Sequence, residues 1–200
     1  LELETIVIDN ASTQQFRPKD DRPLDDNVKL IHNEENLGFS GGHNVGIKYA
    51  LDHGADYVVL LNNDTTVDKD LIKELVSVAE KDETIGIVSP KIYFAKGSEY
   101  HKDRYKKDEL GKVIWYAGGK IDWDNMYQSH RGVDEVDEGQ YDSSIETDFA
   151  TGCCMFFKRE VLEKVGLLDE RYFLYYEDAD LNERIMKAGY KIYYVPTAVL

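Results

Sequence analysis

Tyr57-Val58-Val59-Leu60-Leu61-Asn62-Asn63-Asp64 is a run of five apolar residues that stops abruptly on three polar ones. A short unbroken run with two valines is the pattern of a strand covered on both faces. Strands of that kind occur where helices pack on either side of a sheet. The flanking segments agree. Upstream, Ile47, Ala50 and Leu51 share one side of a helix that ends near Gly54. Downstream, Leu71, Leu75, Val78 and Ala79 recur at helical spacing behind Asp68 as a cap, and Ile85-Gly86-Ile87-Val88 is the next strand. Strand alternating with helix as far as residue 88 predicts an α/β domain with a mostly parallel central sheet flanked by helices.

The same reading extends to both ends. Leu3 to Ile8 is rich in β-branched residues and gives way to the turn-forming Asp9-Asn10-Ala11-Ser12-Thr13. Arg17 to Asn27, with Pro18 and Pro23, reads as a surface excursion before a second short strand, Val28 to Ile31. Lys96 to Lys112 holds six basic and four acidic residues, and Lys120 to Asp148 holds nine acidic residues against Lys120 and Arg131. Both stretches read as solvated loops. Order returns with Ile145 to Phe149, Met155 to Phe157 and a short helix over Arg159 to Val165. A last helix carries Leu181, Ile185 and Ala188 and stops at Gly189, and Lys191 to Val195 closes as a strand.

Composition narrows the function. Among 200 residues, 39 acids oppose 24 bases, a net charge of −15. That balance lacks the basic footprint of a nucleic-acid binder. No apolar run approaches the roughly 20 residues of a membrane span. Cys153 and Cys154 are adjacent and have no other cysteine to pair with, which fits a reducing, cytoplasmic setting.

Ligands of open α/β sheets bind beyond the carboxyl ends of the strands. Two polar clusters fall there, Asp9-Asn10-Ala11-Ser12 and Asn62-Asn63-Asp64. A carboxylate on a strand end can take one or two positions on a hard divalent cation and leave the others to a diphosphate. The plain alternative is that Asn62 and Asp64 only cap a turn. A third cluster, Phe173-Leu174-Tyr175-Tyr176-Glu177-Asp178-Ala179-Asp180, puts acids at a helix start behind an apolar mouth. There Asp178 is either a capping group or a carboxylate of raised proton affinity suited to general-base work. Asp180 faces Arg184 one turn on. Gly38, Gly41, Gly42 and Gly46 read two ways, as an anion cradle at a helix N-terminus or as close helix–strand packing.

Taken in order, six blocks carry a resemblance. They are Ile8 to Thr13, Asn36 to Gly46, Leu60 to Thr65, Ala150-Thr151-Gly152, Val165 to Glu170, and Phe173 to Leu181 followed by Ala188-Gly189-Tyr190 and Val195-Pro196. The chain resembles the family 2 glycosyltransferases, in particular their rhamnosyltransferase-like branch, nearly end to end and least between Lys96 and Lys112. The resemblance implies a GT-A fold. It also implies inverting transfer of a sugar from a nucleoside-diphosphate-sugar donor to a glycan or lipid-linked acceptor in cell-surface polysaccharide synthesis. On the donor side it assigns Asp9, Asn10, Ser12, Gly38, Gly42, Asn44, Asn62 and Asn63. Asp64 is left as the charged ligand of Mn2+ or Mg2+, since Asn62 replaces the first acid of the family's DxD-type motif. Asp178 becomes the base, and Glu177, Gly152 and Trp123 contact the acceptor. His43 departs from the Asn expected at its position. Residues 1–95 are then the nucleotide-sugar-binding half and 96–200 the acceptor-side half of one catalytic domain. Work at the inner membrane face, through parts outside this chain, would follow from the family's habits.

The acidic middle segment, with Trp115, Trp123 and Tyr127 near it, reads either as an acceptor-side lid or as a loop pinned to the core by its aromatics. Two other functions compete with transfer. A sugar-1-phosphate nucleotidyltransferase would want a glycine-rich basic motif after the first strand, where only Arg17 and Lys19 stand. A non-catalytic sugar-binding module would bind no nucleotide sugar with metal. Against the family pattern, the sequence starts at what resembles the second strand and stops at Leu200, where a further metal-binding His is expected. The reading is therefore a piece of a slightly larger domain.

Overall fold

The computed structural model describes residues 2–14, 16–17 and 23–200. Residues 18–22 of the expected surface excursion lie outside the described residues. The chain forms β1 (Thr5–Asp9), β2 (Val28–His32), α1 (Gly38–Asp52), β3 (Tyr57–Leu61), α2 (Leu71–Ala79) and β4 (Ile85–Tyr93). Then follow β5 (Ile114–Tyr116), β6 (Gly119–Asp122), β7 (Tyr127–His130), β8 (Ile145–Glu146), β9 (Cys154–Lys158), α3 (Arg159–Val165), α4 (Glu177–Lys187) and β10 (Lys191–Val199).

The α/β class holds, and the sheet is mixed rather than mostly parallel. Its order is β3-β9-β4-β10-β8, with β5 on β4. Strands β4 and β10 pair in parallel, whereas β9 lies antiparallel between β3 and β4. So β3, β4 and β10 share one direction, and β9 is inserted against it. Strands β1 and β2 form a separate parallel pair. Because β9 and β10 pair with β3 and β4, the two sequence halves interleave in one sheet.

Period-two alternation explains the two faces. Val88, Phe156 and Tyr194 turn toward α2, packing with Leu71 and Leu75. Ile87, Phe157 and Ile192 turn the other way, toward Ile47 of α1, Leu162 of α3 and Leu181 and Ile185 of α4. Val58 and Leu60 of β3 are buried, as its apolar run requires, and only Leu61 opens at the strand end. Asp68 does not cap α2 directly. Its Oδ1 accepts the Asp70 amide (2.9 Å) and so shapes the turn ahead of the helix.

The acidic middle segment departs from a plain loop. Strands β6 and β7 form an antiparallel hairpin, paired from Gly119–His130 to Asp122–Tyr127. Trp115 packs on the core, but Trp123 and Tyr127 are exposed, so these two do not pin the segment down. Lys91 on β4 does that work, with Nζ 2.7 Å from both Asp137 and Asp142.

Candidate active site

Two carboxylate-bearing turns meet across the ends of β3 and β9. Leu61 pairs with Cys154, and the Asn62 amide donates to the Cys153 carbonyl (3.0 Å). One residue earlier, the Gly152 amide donates to Asp178 Oδ2 (3.0 Å). The backbone at Gly152-Cys153 therefore touches the Asn62-Asn63-Asp64 turn on one side and Asp178 on the other. A Cβ on Gly152 would meet the Phe39 ring at 3.3 Å and Asp178 Oδ2 at 3.5 Å, so glycine permits this approach. Gly152 thus positions Asp178 by its amide.

Asp178 is not a helix cap. The residue before α4, Tyr176, caps it without a side-chain bond, and Asp178 Oδ1 accepts from the adjacent Ala179 amide (2.8 Å). Burial raises the Asp178 pKa, and the Gly152 and Ala179 amides act against that rise. Glu177 is raised as well, chiefly by burial, and its buried Oε2 has no hydrogen-bond partner. The preceding aromatic segment is exposed, with Tyr175 and Tyr176 both left-handed (φ 70° and 69°). Two such residues in succession are strained, and here they turn the chain sharply into α4.

One residue without a role in the sequence reading completes this surround. Asn182, fully buried, donates to the carbonyls of Ala150 (2.8 Å) and Asp178 (2.6 Å) and accepts from the Ala150 amide (3.1 Å). It fastens α4 to the turn ahead of β9 that holds Gly152. Its position one turn after Asp178 on an otherwise apolar face was the available signal.

The donor-side expectations divide. Asp9 is buried, and its carboxylate accepts from the Ser12 amide (3.0 Å) and the Phe16 amide (3.1 Å) and meets His32 Nδ1 (3.0 Å). The hydrogen bonds from Ser12, then Phe16 and His32, hold its pKa down to about 2 against burial. Asp9 thereby folds the loop after β1, where Ser12, Thr13, Gln14 and Arg17 line a surface cavity of 640 Å³. Asn10 spends all four of its side-chain hydrogen-bonding positions within the protein, on Asn33, Asn36, Leu37 and Gly38.

The glycine-rich stretch resolves toward packing. Helix α1 starts at Gly38 itself, and Cβ atoms on Gly42 and Gly46 would meet Asn10 at 3.0 Å and Ile8 at 3.5 Å. Its leading amides are taken: Leu37 donates to Asn10, Gly38 to Asn36, and Phe39 to the Phe173 carbonyl (2.7 Å). Asn44, expected at the donor, is buried and bonded to Leu168 N (3.1 Å), Leu168 O (2.8 Å) and Glu170 (3.0 Å). Gly38 and Asn44 thus lie against the segment leading to α4, at Phe173 and at Leu168 and Glu170, while Gly42 packs on Asn10. His43 likewise turns inward, to the Phe39 carbonyl (2.9 Å).

Asn62, Asn63 and Asp64 sit on the β3 end as expected, with the Asn62 carbonyl accepting from Thr65 Oγ1 (2.8 Å). Asn63 and Asp64 are exposed. Among the described residues no group of three His, Cys, Asp or Glu side chains converges anywhere. One hard carboxylate suits a Mg2+- or Mn2+-type cation whose other ligands are water and substrate phosphates. Asp64 fits that role. Cys153 is pushed up to about 11 by burial, and Cys154 is raised further, so neither is a reactive thiol at neutral pH.

A layered α/β domain with a mixed sheet and paired carboxylate turns at one strand edge is the architecture of GT-A nucleotide-sugar transferases. GalNAc-T7, solved with UDP, GalNAc and Mn2+, shares this fold at TM-score 0.74 and 19 % identity over 98 % of this chain and 37 % of that one. Residues 1–166 match the model of Glycosyl transferase family 2, and the chain belongs to that family. The match ends before Asp178. The Haloferax volcanii low-salt glycan biosynthesis hexosyltransferase Agl10 is 27 % identical over 94 % of this chain and 55 % of its own. The Mycobacterium tuberculosis N-acetylglucosaminyl-diphospho-decaprenol L-rhamnosyltransferase is 28 % identical over 98 % of this chain and 65 % of its own. The chain thus spans roughly half to two thirds of the curated relatives it matches. Among the described residues no helix is long and apolar enough to cross a membrane.

Proposed function

We propose that this domain transfers a sugar, with inversion, from a nucleoside-diphosphate donor to a hydroxyl of a glycan or lipid-linked acceptor in surface-polysaccharide synthesis. One observation carries the reading: the Cys153 carbonyl accepts from Asn62 at the head of the Asp64 turn, and the adjacent Gly152 amide donates to the Asp178 carboxylate. An acceptor hydroxyl at Asp178 gives up its proton to the carboxylate as its oxygen attacks the anomeric carbon. The bond to the diphosphate breaks on the opposite face, so one displacement inverts the configuration. The Gly152 and Ala179 amides keep the Asp178 carboxylate oriented, and Asn182 holds the helix that carries it. Asp64 would hold the divalent cation, which when bound offsets negative charge on the departing diphosphate. Asp9 and Ser12 shape the loop that would receive the base. The names of the relatives support a hexosyl or rhamnosyl donor, and the decaprenol-linked substrate in one of them supports work at the cytoplasmic membrane face.

Calorimetric titration with nucleotide sugars, with and without Mn2+, tests this. The protein should bind at least one of them only with metal, and Asp64→Ala should weaken that binding about tenfold or more, ~1.4 kcal/mol. Absence of metal-dependent binding to any nucleotide sugar would overturn the reading in favour of a non-catalytic module.

A further inference from the structure

Three strained residues meet at one hydrogen bond. Among the described residues five that are not glycine have left-handed backbone, and three of these are Met126 (φ 50°), Tyr175 (φ 70°) and Tyr176 (φ 69°). Met126 ends the tip of the β6–β7 hairpin, after a turn in which the Asp122 carboxylate accepts from the Asn125 amide (3.1 Å) and side chain (2.8 Å). Tyr175 and Tyr176 stand directly ahead of α4, and Tyr176 Oη donates to the Met126 carbonyl (2.9 Å). Left-handed backbone is an outlier for side chains of this bulk and persists only where the surroundings impose it. Two orphaned polar atoms flank the same bond. Among the described residues four buried side-chain atoms lack a partner, and they include Nε2 of Gln128, two residues after Met126, and Oε2 of Glu177, next after Tyr176.

What imposes this arrangement is slight. At its start the segment 172–176 is fixed to α1, where Ser40 Oγ donates to the Tyr172 carbonyl (2.6 Å) and the Phe39 amide to the Phe173 carbonyl (2.7 Å). Past that point Leu174, Tyr175 and Tyr176 are 52 %, 73 % and 43 % exposed, so little burial holds them. The bond from Tyr176 to Met126 is exposed as well, and such a bond replaces one to water at small net gain. Left-handed strain and unmet polar atoms thus oppose a single exposed bond. The joined arrangement therefore lies close in free energy to a parted one.

We infer that residues 172–176 are a two-position strap, latched to the hairpin tip by Tyr176 and hinged at Tyr175-Tyr176. Parting the latch lets the three left-handed residues relax and opens Glu177 Oε2 and Gln128 Nε2 to partners. The hinge lies immediately ahead of Glu177 and Asp178, so the position of the strap sets how the chain enters the first turn of α4. The device acts on that turn whatever reaction Asp178 serves.

Trp123 lines one cavity with Tyr176, whereas Trp115, the other tryptophan, packs on the core. Fluorine NMR of 5-fluorotryptophan-labelled protein, with no donor, acceptor or metal added, thus has Trp123 as reporter and Trp115 as control. Relaxation dispersion should detect exchange at Trp123 in the wild type and none at Trp115. Tyr176→Phe, which removes the latch hydroxyl alone, should raise the ratio of parted to latched protein about fivefold or more. Tyr175→Gly, and Met126→Gly on the other side of the bond, should each lower it about threefold or more, because glycine carries no left-handed penalty. Thermal melting checks that every variant is folded. Absence of exchange at Trp123 in the wild type would overturn the strap. So would a ratio that fails to move in opposite directions in the phenylalanine and glycine variants. Either result leaves the transfer reading standing, and failure of nucleotide-sugar binding leaves the strap standing.

Discussion

Asp178 is held where burial and hydrogen bonding pull its proton affinity in opposite directions, and burial prevails. As a base it must be ionised, so transfer should fall as pH drops through a value above the ordinary carboxylate figure of about 3.9. Stability runs the other way. The folded protein binds this proton more tightly than the unfolded chain, so stability declines as pH rises from the ordinary value through the raised one. Asp178→Asn should lower kcat by about 10²–10⁴-fold. Nucleotide-sugar affinity, read by calorimetry, should stay close to wild type. Equal loss of both in a folded variant would remove Asp178 from the base role. At this scale legibility followed local chemistry. The place of Asp178 in the first turn of a helix is legible because acids follow an aromatic run there. The bond from Asn44 to Leu168 is not legible, because the two lie 124 residues apart and no local pattern reports that distance.

Helix α1 shows what the pattern of an element conveys and what it leaves out. Its apolar face was legible, but the partner of its first turn was not. Gly38 has φ +71°, and a Cβ there would lie 2.5 Å from the Phe173 carbonyl oxygen. Gly38→Ala should therefore cost roughly 1–3 kcal/mol in urea unfolding, from left-handed strain plus the displaced segment. The same variant should raise acceptor KM, because Phe173 leads into Tyr176 and α4; a stability loss with unaltered KM would separate the two roles. The β6–β7 hairpin escaped notice for a related reason. Its strands, Gly119-Lys120-Ile121-Asp122 and Tyr127-Gln128-Ser129-His130, are mostly polar, and its ladder is made by the backbone. Strand β4 runs past Val88 through Pro90 to Tyr93, where the proline masks a continuing strand. The direction of β9 was illegible because period-two alternation is the same for either orientation.

Across the whole molecule, one buried cation fastens the acidic segment to the sheet. The Lys91 side chain is 3 % exposed and bonds Asp137 and Asp142, while Tyr93 bonds Asp137 from the same strand. Arg131 adds a second anchor, lying 4.8 Å from the Tyr141 ring and 5.2 Å from that of Tyr194. The residues between these anchors continue directly from β7, within a segment from Lys120 to Asp148 that holds nine acids against two bases. Burial pushes Asp137 up, and the Lys91 and Tyr93 bonds more than offset it, leaving its pKa below the ordinary value. Its stabilisation is therefore present above about pH 3.9 and is lost as pH falls through the lowered pKa. Lys91→Met removes the cation and leaves buried Asp137 with only the Tyr93 hydroxyl and the Gly139 amide, which should cost roughly 3 kcal/mol near neutral pH. In that variant burial acts on Asp137 without the opposing Lys91 bond, so its pKa should rise and the penalty of the substitution should shrink on acidification. Urea unfolding of both proteins from pH 7 to pH 4 reads the sign directly. A Lys91→Met penalty that stays constant or grows on acidification would show that the pair does not hold the segment to the sheet.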